Sequence, residues 1–362
     1  MSQSQSSSVA LAVLFQDIVP PMINGARKPK KPNGYKDSGA DIAYTLQQKG
    51  IKVLTPKSSP DPLSDADWCF PDTEDGILAA VRQGATHLWA NTILFTAHPL
   101  QNSAELRPYG SQIHIIGQPP RLVERFDDKA YLNDRLRDLE SYTLPRSWLV
   151  QPENLDLLNE SIEKYPVVAK PVRGRGSYGV KVCHDQTALQ DHVAGLLQES
   201  PTVMIEDYLA GEEATITVMS PSPERPEYWC LPPVTRFNHF EGVAPYNGVV
   251  AVTANSRIVR DEELAKDSSY QAIMDECQRV AELIQAKAPI RIDVRRFSEG
   301  SKFAIFDINM KPVRRGRPGR EDQDSLTAMA AAAIGWDYGT LLQKILDASQ
   351  TLSSFREYHS SI

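Results

Sequence analysis

Two short runs near the C-terminal end place the strongest constraint on the fold of this chain. Ile290–Val294 reads Ile-Arg-Ile-Asp-Val, and Phe303–Asn309 reads Phe-Ala-Ile-Phe-Asp-Ile-Asn. Apolar and polar side chains alternate with period two in both runs, which is typical of β-strands. The stretch Ser298–Ser301 between them has the composition of a tight turn, so the two runs predict a β-hairpin.

The polar positions of this hairpin predict a magnesium site. Side chains two positions apart on a strand share a face, so Arg291 lies beside Asp293, and Asp307 lies beside Asn309. If Asp293 pairs with Asp307, three oxygen ligands and one guanidinium converge. Such ligands, with few protein charges, suit Mg²⁺ that substrate phosphates also hold. An ordinary hairpin with a solvated polar face is the alternative that the pattern leaves open.

The turn decides whether the two aspartates share a face. A two-residue turn at Glu299–Gly300 would pair Asp293 with Phe306 and send Asp307 to the opposite face. Convergence therefore requires a three-residue loop at 299–301 or a β-bulge.

A glycine-rich segment predicts a phosphate-binding flap. Tyr165–Pro171 reads as a strand that contains Lys170, and Gly174–Gly179 follows it with the pattern G-x-G-x-x-G. A dinucleotide fingerprint would continue into a helix, whereas Val180–Cys183 alternates like a strand. A protein kinase places its lysine after the loop and carries H-R-D and D-F-G, which are absent here. The remaining interpretation is a strand, then a flap, then a returning strand, in which the flap amides and the Ser177 hydroxyl reach phosphate. A flexible surface hairpin is the alternative.

The order of motifs resembles a known superfamily. Between the flap and the hairpin, the stretch Val203–Val218 contains the pattern E-x-Y-L-x-G-x-E. We call this stretch the hinge. The chain resembles the ATP-grasp superfamily over about residues 115 to 345, because it contains in order a lysine strand, a glycine flap, the hinge and the R-I-D and D-I-N strands. The closest likeness is to the D-alanine–D-alanine ligase-like branch of carboxylate–amine ligases. The resemblance implies an α/β protein in which two α+β lobes sandwich ATP, preceded by an N-terminal α/β domain with a parallel sheet.

The resemblance also implies roles for individual residues. It assigns ATP to Lys129, Lys170, Gly176, Ser177, Tyr178, Gly179, Glu206, Tyr208, Leu209, Glu213 and Phe306. It assigns Mg²⁺, as two ions, to Asp293, Asp307 and Asn309, and a catalytic part to Arg291, Lys170 and Ser177. In this scheme Arg291 stabilises an oxyanion, and Glu206 and Glu213 contact adenine and ribose. The plainer alternatives are solvated acids at the hinge, a helix-surface position for Lys129, and a simple ion pair for Arg291.

The composition limits the class of protein. The 362 residues suffice for two or three domains, and a net charge of −7 argues against a nucleic-acid binder. The four cysteines lack C-x-x-C spacing, which favours a reducing, cytoplasmic location without a disulfide framework. The apolar run 9–15 is too short to span a membrane and lacks the basic start of a signal peptide, so it predicts a strand. Whether the protein forms a homodimer is left open by the sequence.

The pattern of elements predicts a division of the chain. Strands at 9–15, 51–54, 86–95 and 113–117 alternate with helices at 37–49 and 72–83, which predicts a parallel sheet. A single long helix is expected over 261–287. The predicted units are a disordered leader (1–8), the N-terminal domain (9–120), a small lobe with the flap (121–209), a large lobe with the metal site (210–350) and a C-terminal tail (351–362).

Two segments depart from the ligase pattern, and a third is a candidate to contact substrate. Phe15–Pro20 replaces the glycine- and serine-rich turn that relatives place after the first strand, so we expect a first substrate other than D-alanine. Residues 314–320 replace a proline–glycine step and predict an anion clamp, because arginine pairs with carboxylates in bidentate geometry. A disordered basic loop is the alternative. A loop at 236–248 lies where relatives place an active-site cover. The candidate substrate contacts in these segments are His239, Tyr246, Arg314, Arg315 and Arg317.

These observations lead to three hypotheses of function. The first is an ATP-dependent ligase that joins a small-molecule carboxylate to an amine through an acyl-phosphate, on amino-acid-like substrates, and releases ADP and phosphate. The second is a small-molecule kinase on the same fold. The third is a nucleotide-binding regulator without turnover, which the retained Asp293, Asp307 and Asn309 disfavour. No nucleic acid or membrane is expected as a partner.

Overall fold

The computed structural model describes residues 9–157, 162–174, 176–243, 254–310, 325–360 and 362. Strands and helices are numbered in chain order within these residues. The helices are α1 (Lys36–Gln48), α2 (Glu74–Arg82), α3 (Pro99–Asn102), α4 (Pro120–Phe126), α5 (Lys129–Asp138), α6 (Gln186–Leu196), α7 (Asp261–Lys266), α8 (Ser268–Leu283), α9 (Leu326–Ala333), α10 (Tyr338–Asp347) and α11 (Leu352–Arg356). Short 3-10 helices occupy Pro32–Tyr35, Asp65–Asp67, Arg107–Tyr109 and Pro152–Leu157.

The N-terminal part is built on a parallel sheet, as its alternating elements predicted. Its parallel strands are β1 (Ala10–Phe15), β4 (Lys52–Leu54), β5 (Cys69–Pro71), β6 (His87–Asn91) and β7 (His114–Ile116). Strand β1 pairs with β4, β5 and β6, and β6 pairs with β7. All six side chains of β1 are buried because apolar residues pack against both faces of the sheet. A small hairpin, β2 (Met22–Ile23) and β3 (Ala26–Arg27), follows β1.

The last residues of the chain, within the predicted C-terminal tail at 351–362, fold against this sheet. Strand β18 (Gln350–Thr351) pairs antiparallel with β7, and α11 begins directly after it. Leu352 and Phe355 are fully buried, and the Tyr358 hydroxyl donates to the carbonyl of Ile284 at 2.8 Å. The apolar spacing of three residues on α11 gives it a buried face.

The small lobe carries a four-stranded antiparallel sheet. Its strands are β8 (Ser147–Val150), β9 (Val167–Pro171), β10 (Lys181–Cys183) and β11 (Val203–Asp207), in the order β10-β9-β11-β8. Strand β9 returns as β10 through the glycine segment, with Lys181 opposite Ala169. The prediction of a strand, a flap and a returning strand is confirmed, and no helix follows the glycines.

The large lobe carries a second antiparallel sheet. Its strands are β12 (Glu213–Met219), β13 (Trp229–Cys230), β14 (Val234–Arg236), β15 (Ser256–Ile258), β16 (Ile290–Arg296) and β17 (Phe303–Asn309). The order is β15-β14-β12-β16-β17, with β13 also on β12. Apolar residues of this lobe, such as Met219 and Leu326, share a core with β1 and α1, which ties the lobe to the N-terminal sheet.

The single long helix predicted over 261–287 is wrong, because the chain forms two helices, α7 and α8. Asp267 separates them in an extended conformation with φ −127° and ψ 96°. Its carboxylate caps α8 by accepting from the Ser269 amide at 3.0 Å, and it pairs with Arg296 at 2.5 Å. An aspartate that can bond the backbone ahead of it favours a cap over a helix interior.

The hairpin of β16 and β17 contains the β-bulge that convergence of the two aspartates required. Near the turn Arg296 faces Phe303 and Val294 faces Ile305, whereas beyond the bulge Asp293 faces Asp307. Phe306 is the extra residue on β17. This one-residue shift brings Asp293, Asp307, Arg291 and Asn309 to one face of the sheet.

Candidate functional site

A cleft between the small and large lobes gathers most of the residues predicted to act. The small lobe contributes β9, the flap and β11, and the large lobe contributes β12, β16 and β17. The predicted site residues that line the cleft are Lys129, Lys170, Gly176, Ser177, Tyr178, Glu206, Tyr208, Leu209, Glu213, Arg291, Asp293, Phe306, Asp307 and Asn309. Gly179 ends the flap beside it, where its carbonyl lies 2.9 Å from Nε2 of His192.

Lys170 crosses the cleft from β9 and joins the two lobes. Its Nζ lies 2.5 Å from a carboxylate oxygen of Glu206 on the neighbouring strand β11. The same Nζ donates to the carbonyl of Phe306 at 3.0 Å. Because Phe306 is the bulged residue of β17, the bulge both aligns the aspartates and presents a carbonyl to this lysine. Lys170 and Glu206 are 5% and 3% exposed, so this ion pair is buried.

Glu206 therefore faces a lysine within the cleft and is not a solvated acid. Its second oxygen accepts from the Asn133 amide at 3.3 Å, and Arg137 lies 4.0 Å away. The predicted contact of Glu206 with adenine remains a prediction. Of the neighbouring hinge residues, Tyr208 donates its amide to the Pro166 carbonyl at 3.4 Å, and Leu209 is buried.

Asp293 is held in place by three side chains. Thr215, which lies opposite it on β12, donates its hydroxyl at 2.7 Å, and Arg291 donates at 3.1 Å. The side-chain amide of Asn309 lies 3.2 Å from Asp293 and 3.3 Å from Asp307. The guanidinium of Arg291 is buried beside these carboxylates and lines the cleft, and its action on an oxyanion remains a prediction.

Lys129, the first residue of α5, forms an ion pair with Asp307. Burial disfavours the charged lysine, but the charge of Asp307 and their hydrogen bond outweigh it and raise the pKa of Lys129. For Asp307, burial opposes ionisation, while Lys129, Lys170 and Arg291 favour it and lower the pKa to about 2. Both groups are therefore charged at neutral pH, and Lys129 is part of the cleft instead of a helix surface.

The donor set of the hairpin fits a hard divalent cation. Two carboxylates and one amide converge on one face, which is oxygen chemistry suited to Mg²⁺. The third donor of this set is the Asn309 amide. The described residues contain no group of three or more His, Cys, Asp and Glu side chains that could hold a metal ion. Asn309 as placed turns its nitrogen to the carboxylates, and rotation of the amide would offer the oxygen.

The flap after β9 has a backbone suited to close approach of a ligand. Gly176 and Ser177 have φ of +59° and +57°, and a side chain added at Gly176 would meet nothing within 4 Å. The Val180 amide donates to the Ser177 carbonyl at 3.1 Å, which closes the turn. The Tyr178 hydroxyl donates to the Glu199 carboxylate at 3.0 Å, and the side chain is exposed.

Glu213 lies in a cluster of basic side chains at the other end of the cleft. Its carboxylate lies 2.8 Å from Nε2 of His239, 3.6 Å from Arg236 and 3.8 Å from Arg295. His239 therefore contacts the predicted ribose residue, and its role toward a substrate remains a prediction. Tyr246, Arg314, Arg315 and Arg317 lie outside the described residues.

Three residues that contact the side chains of the site were missed by the sequence analysis. Thr215 orients Asp293, and Arg236 and Arg295 surround Glu213. Arg295 could have been predicted, because the alternation that places Arg291 and Asp293 on one face of the strand extends to it. Thr215 lies on β12, which pairs with β16, and Arg236 lies on β14, which pairs with β12, and both pairings join segments distant in the chain.

The fold and site define a class of protein. The small lobe carries the lysine strand and the flap, and the large lobe carries the acidic hairpin. The two lobes enclose a cleft, as in the ATP-grasp fold, so the predicted fold class is confirmed. The solved D-alanine–D-alanine ligase from Bacillus anthracis, in complex with ATP, aligns with a TM-score of 0.64 at 16% identity, over 97% of this chain and 99% of that one. The D-Ala:D-Ser ligase VanG from Enterococcus faecalis aligns with a TM-score of 0.61 at 13% identity, over 94% and 99% of the two chains.

Sequence comparison then identifies the family. The family model "D-ala D-ala ligase C-terminus" matches residues 143–347, more than half of the chain, and the chain belongs to this family. D-alanine–D-alanine ligases from Aquifex aeolicus and Gloeobacter violaceus are 27% and 29% identical over 53% and 51% of this chain. The chain spans 59% and 55% of the length of these two relatives.

Among the described residues, no helix is both long enough and apolar enough to cross a membrane.

Proposed function

We propose that this protein is an ATP-dependent ligase that joins a small-molecule carboxylate to an amine through an acyl-phosphate. The observation that carries the proposal is the meeting of Lys129, Lys170, Arg291, Asp293 and Asp307 in one cleft beside the glycine flap. Membership in the D-alanine–D-alanine ligase family supports the same reaction class.

In the proposed mechanism the basic side chains position the phosphates of ATP. Lys170 is anchored by Glu206 and the Phe306 carbonyl, so its ammonium is fixed in place before ATP binds. Preorganised donors stabilise charge without reorganisation during reaction, which is the main contribution proteins make to phosphoryl transfer. Lys129 is available to phosphate once a cation takes its place beside Asp307, and the flap amides and Ser177 would cover the terminal phosphates.

Asp293, Asp307 and Asn309 would hold Mg²⁺. When bound, the metal would neutralise phosphate charge and polarise the transferring phosphoryl group. Arg291 lies 3.1 Å from Asp293, with the same Asp293 oriented by Thr215. This pairing fixes the guanidinium toward the cleft, where it would stabilise the oxyanion that forms when the amine attacks the acyl-phosphate. Phosphate then leaves, and the amide bond remains.

The substrate class follows from the family and from one departure. The relatives named above are D-alanine ligases, so small amino-acid-like acids and amines are the substrates to test. Phe15–Pro20 lacks the glycine- and serine-rich turn of the family, which supports a first substrate other than D-alanine. In the structure, Asp72 fixes this stretch by accepting from the amides of Asp17 and Ile18 at 2.8 and 2.9 Å.

The direct test is a coupled ADP-release screen over pairs of amino acids and related acids, with D-alanine included and the products detected by mass. A ligase releases ADP only when an acid and an amine are both present and yields their amide. The Asp307→Asn variant serves as the matched negative control. If ADP is released with an acid alone and a stable phosphorylated product forms, the protein is a small-molecule kinase and the ligase proposal is wrong.

A further inference from the structure

Arg295 on β16 links three segments at the end of the cleft that contains Glu213. Its Nε donates to the Gly211 carbonyl at 3.1 Å, and one terminal nitrogen donates to the Tyr208 hydroxyl at 3.0 Å. The other terminal nitrogen donates to the Gly242 carbonyl at 2.7 Å. The residue is only 9% exposed, so these bonds are shielded from water.

Gly242 belongs to the segment 237–243 of the large lobe, and its contacts reach the small lobe. It has φ +78°, and a Cβ added there would lie 2.8 Å from the Tyr208 hydroxyl oxygen and 3.1 Å from a methyl carbon of Val182. A glycine is therefore required for this close approach. Val182 lies on β10, directly after the flap, so segment 237–243 bridges the two lobes.

The bridge lies at the wall of the proposed nucleotide site. Tyr208, Gly242, Arg295 and Val182 all line the cleft, and Arg295 is 3.8 Å from Glu213. Of these four residues, only Tyr208 is a predicted ATP contact, and the other three have no part in the proposed chemistry. A ligand in the cleft would be enclosed on this side by segment 237–243, which the three donors of Arg295 fasten to the hinge.

We propose that Arg295 is a positioning residue that fastens segment 237–243 across the two lobes and thereby sets the rate at which a nucleotide leaves the cleft. The inference rests on the proposed function for the identity of the ligand. The fastening itself needs no ligand, because all of its contacts lie within the protein.

The first experiment measures the fastening alone, by hydrogen–deuterium exchange of the ligand-free protein. In Arg295→Met, we expect peptides that cover 237–243 to exchange about tenfold faster or more, since charge-assisted hydrogen bonds are lost. Gly242→Ala should produce the same local change from the other side of the contact. Arg257→Met is the matched control, because this exposed arginine of the same sheet pairs with Glu263 and should leave 237–243 unchanged.

The second experiment measures dissociation of radiolabelled ATP with Mg²⁺ after a chase of unlabelled ATP. Arg295→Met should release ATP about tenfold faster, and Arg295→Lys should recover part of the loss, because lysine keeps the charge without the fork of donors. Arg257→Met should release ATP at the wild-type rate. Thermal unfolding of each variant establishes that it is folded, and Arg295→Lys replaces Arg295→Met if the latter is not.

The outcomes separate the two proposals. Unchanged exchange over 237–243 in both Arg295→Met and Gly242→Ala would overturn the fastening. Faster exchange with an unchanged rate of ATP release would overturn the control of nucleotide release. A wild-type protein that binds no ATP, together with faster exchange in the variants, would overturn the proposed function and leave the fastening in place.

Discussion

Replacing Lys170 with alanine removes the positive partner of a buried carboxylate. Lys170 contributes a 2.5 Å ion pair to Glu206 and a 3.0 Å hydrogen bond to the Phe306 carbonyl. Glu206 is only 3% exposed, so water cannot replace the lysine without local opening. The substitution therefore tests a structural and a nucleotide-binding role at once.

The magnitude follows from what remains around Glu206. Breaking a buried ion pair by removing one partner costs about 3–5 kcal/mol. The Asn133 amide at 3.3 Å and Arg137 at 4.0 Å still face the carboxylate, so we expect a loss near the lower limit, about 3 kcal/mol. ATP affinity should fall at least about tenfold, since a phosphate contact with a charged donor is lost.

Urea denaturation gives the free energy of unfolding, and calorimetry gives the ATP affinity. The double variant Lys170→Met, Glu206→Gln removes both charges and should lie within about 1 kcal/mol of wild type in stability, because neither charge is left unpaired. It should still bind ATP weakly, and Glu206→Gln alone controls for the acid. A folded Lys170→Ala protein with unchanged stability and unchanged ATP affinity would refute the reasoning.

Three further predictions concern the metal residues, the arginine segment and a histidine pair. Asp293→Asn and Asp307→Asn should leave the circular dichroism spectrum unchanged and lower ADP release about 1000-fold, since metal polarisation contributes several kcal/mol; near-wild-type turnover would refute the site. Removing the arginine charges in 314–320 should raise the Michaelis constant for the acid more than that for ATP, and equal small effects would show a solvated loop. Burial and the nearby His114 lower the pKa of His87 from 6.5 to about 4, so the unfolded chain binds more protons in this range and stability should fall as pH decreases from 6.5 to 4. His87→Gln should weaken that pH dependence of the urea midpoint, and an unchanged dependence would contradict the assignment.

The parts of the fold that could be predicted are those determined by local pattern. The alternation in β16 and β17 indicated both strands and placed Asp293 and Asp307 close enough to expect a shared site. The sequence also indicated that a regular two-residue turn would separate them. Which irregularity occurs could not be predicted, because the bulge at Phe306 depends on packing of the sheet and on the lysine that takes its carbonyl.

Errors arose where a distant contact overrides local pattern. Asp267 breaks an otherwise continuous helical stretch because its carboxylate is used as a cap and as a partner of Arg296. Residues 351–362 were predicted to be a C-terminal tail, yet strand β18 pairs with the edge of the N-terminal sheet and the side chains of Leu352 and Phe355 are buried. The cap at Ser269 is local, but Arg296 and strand β7 are distant in sequence, so periodicity alone could not reveal these two partners.

Transfer of a heavy oxygen isotope tests the central claim most directly. The acid identified by the screen would be labelled on its carboxylate and supplied with ATP and the amine. If an acyl-phosphate forms in the cleft, one labelled oxygen passes to each phosphate released, and the amide retains the other. Unlabelled phosphate alongside amide formation would contradict the account, because the carboxylate would then not have attacked the terminal phosphate of ATP.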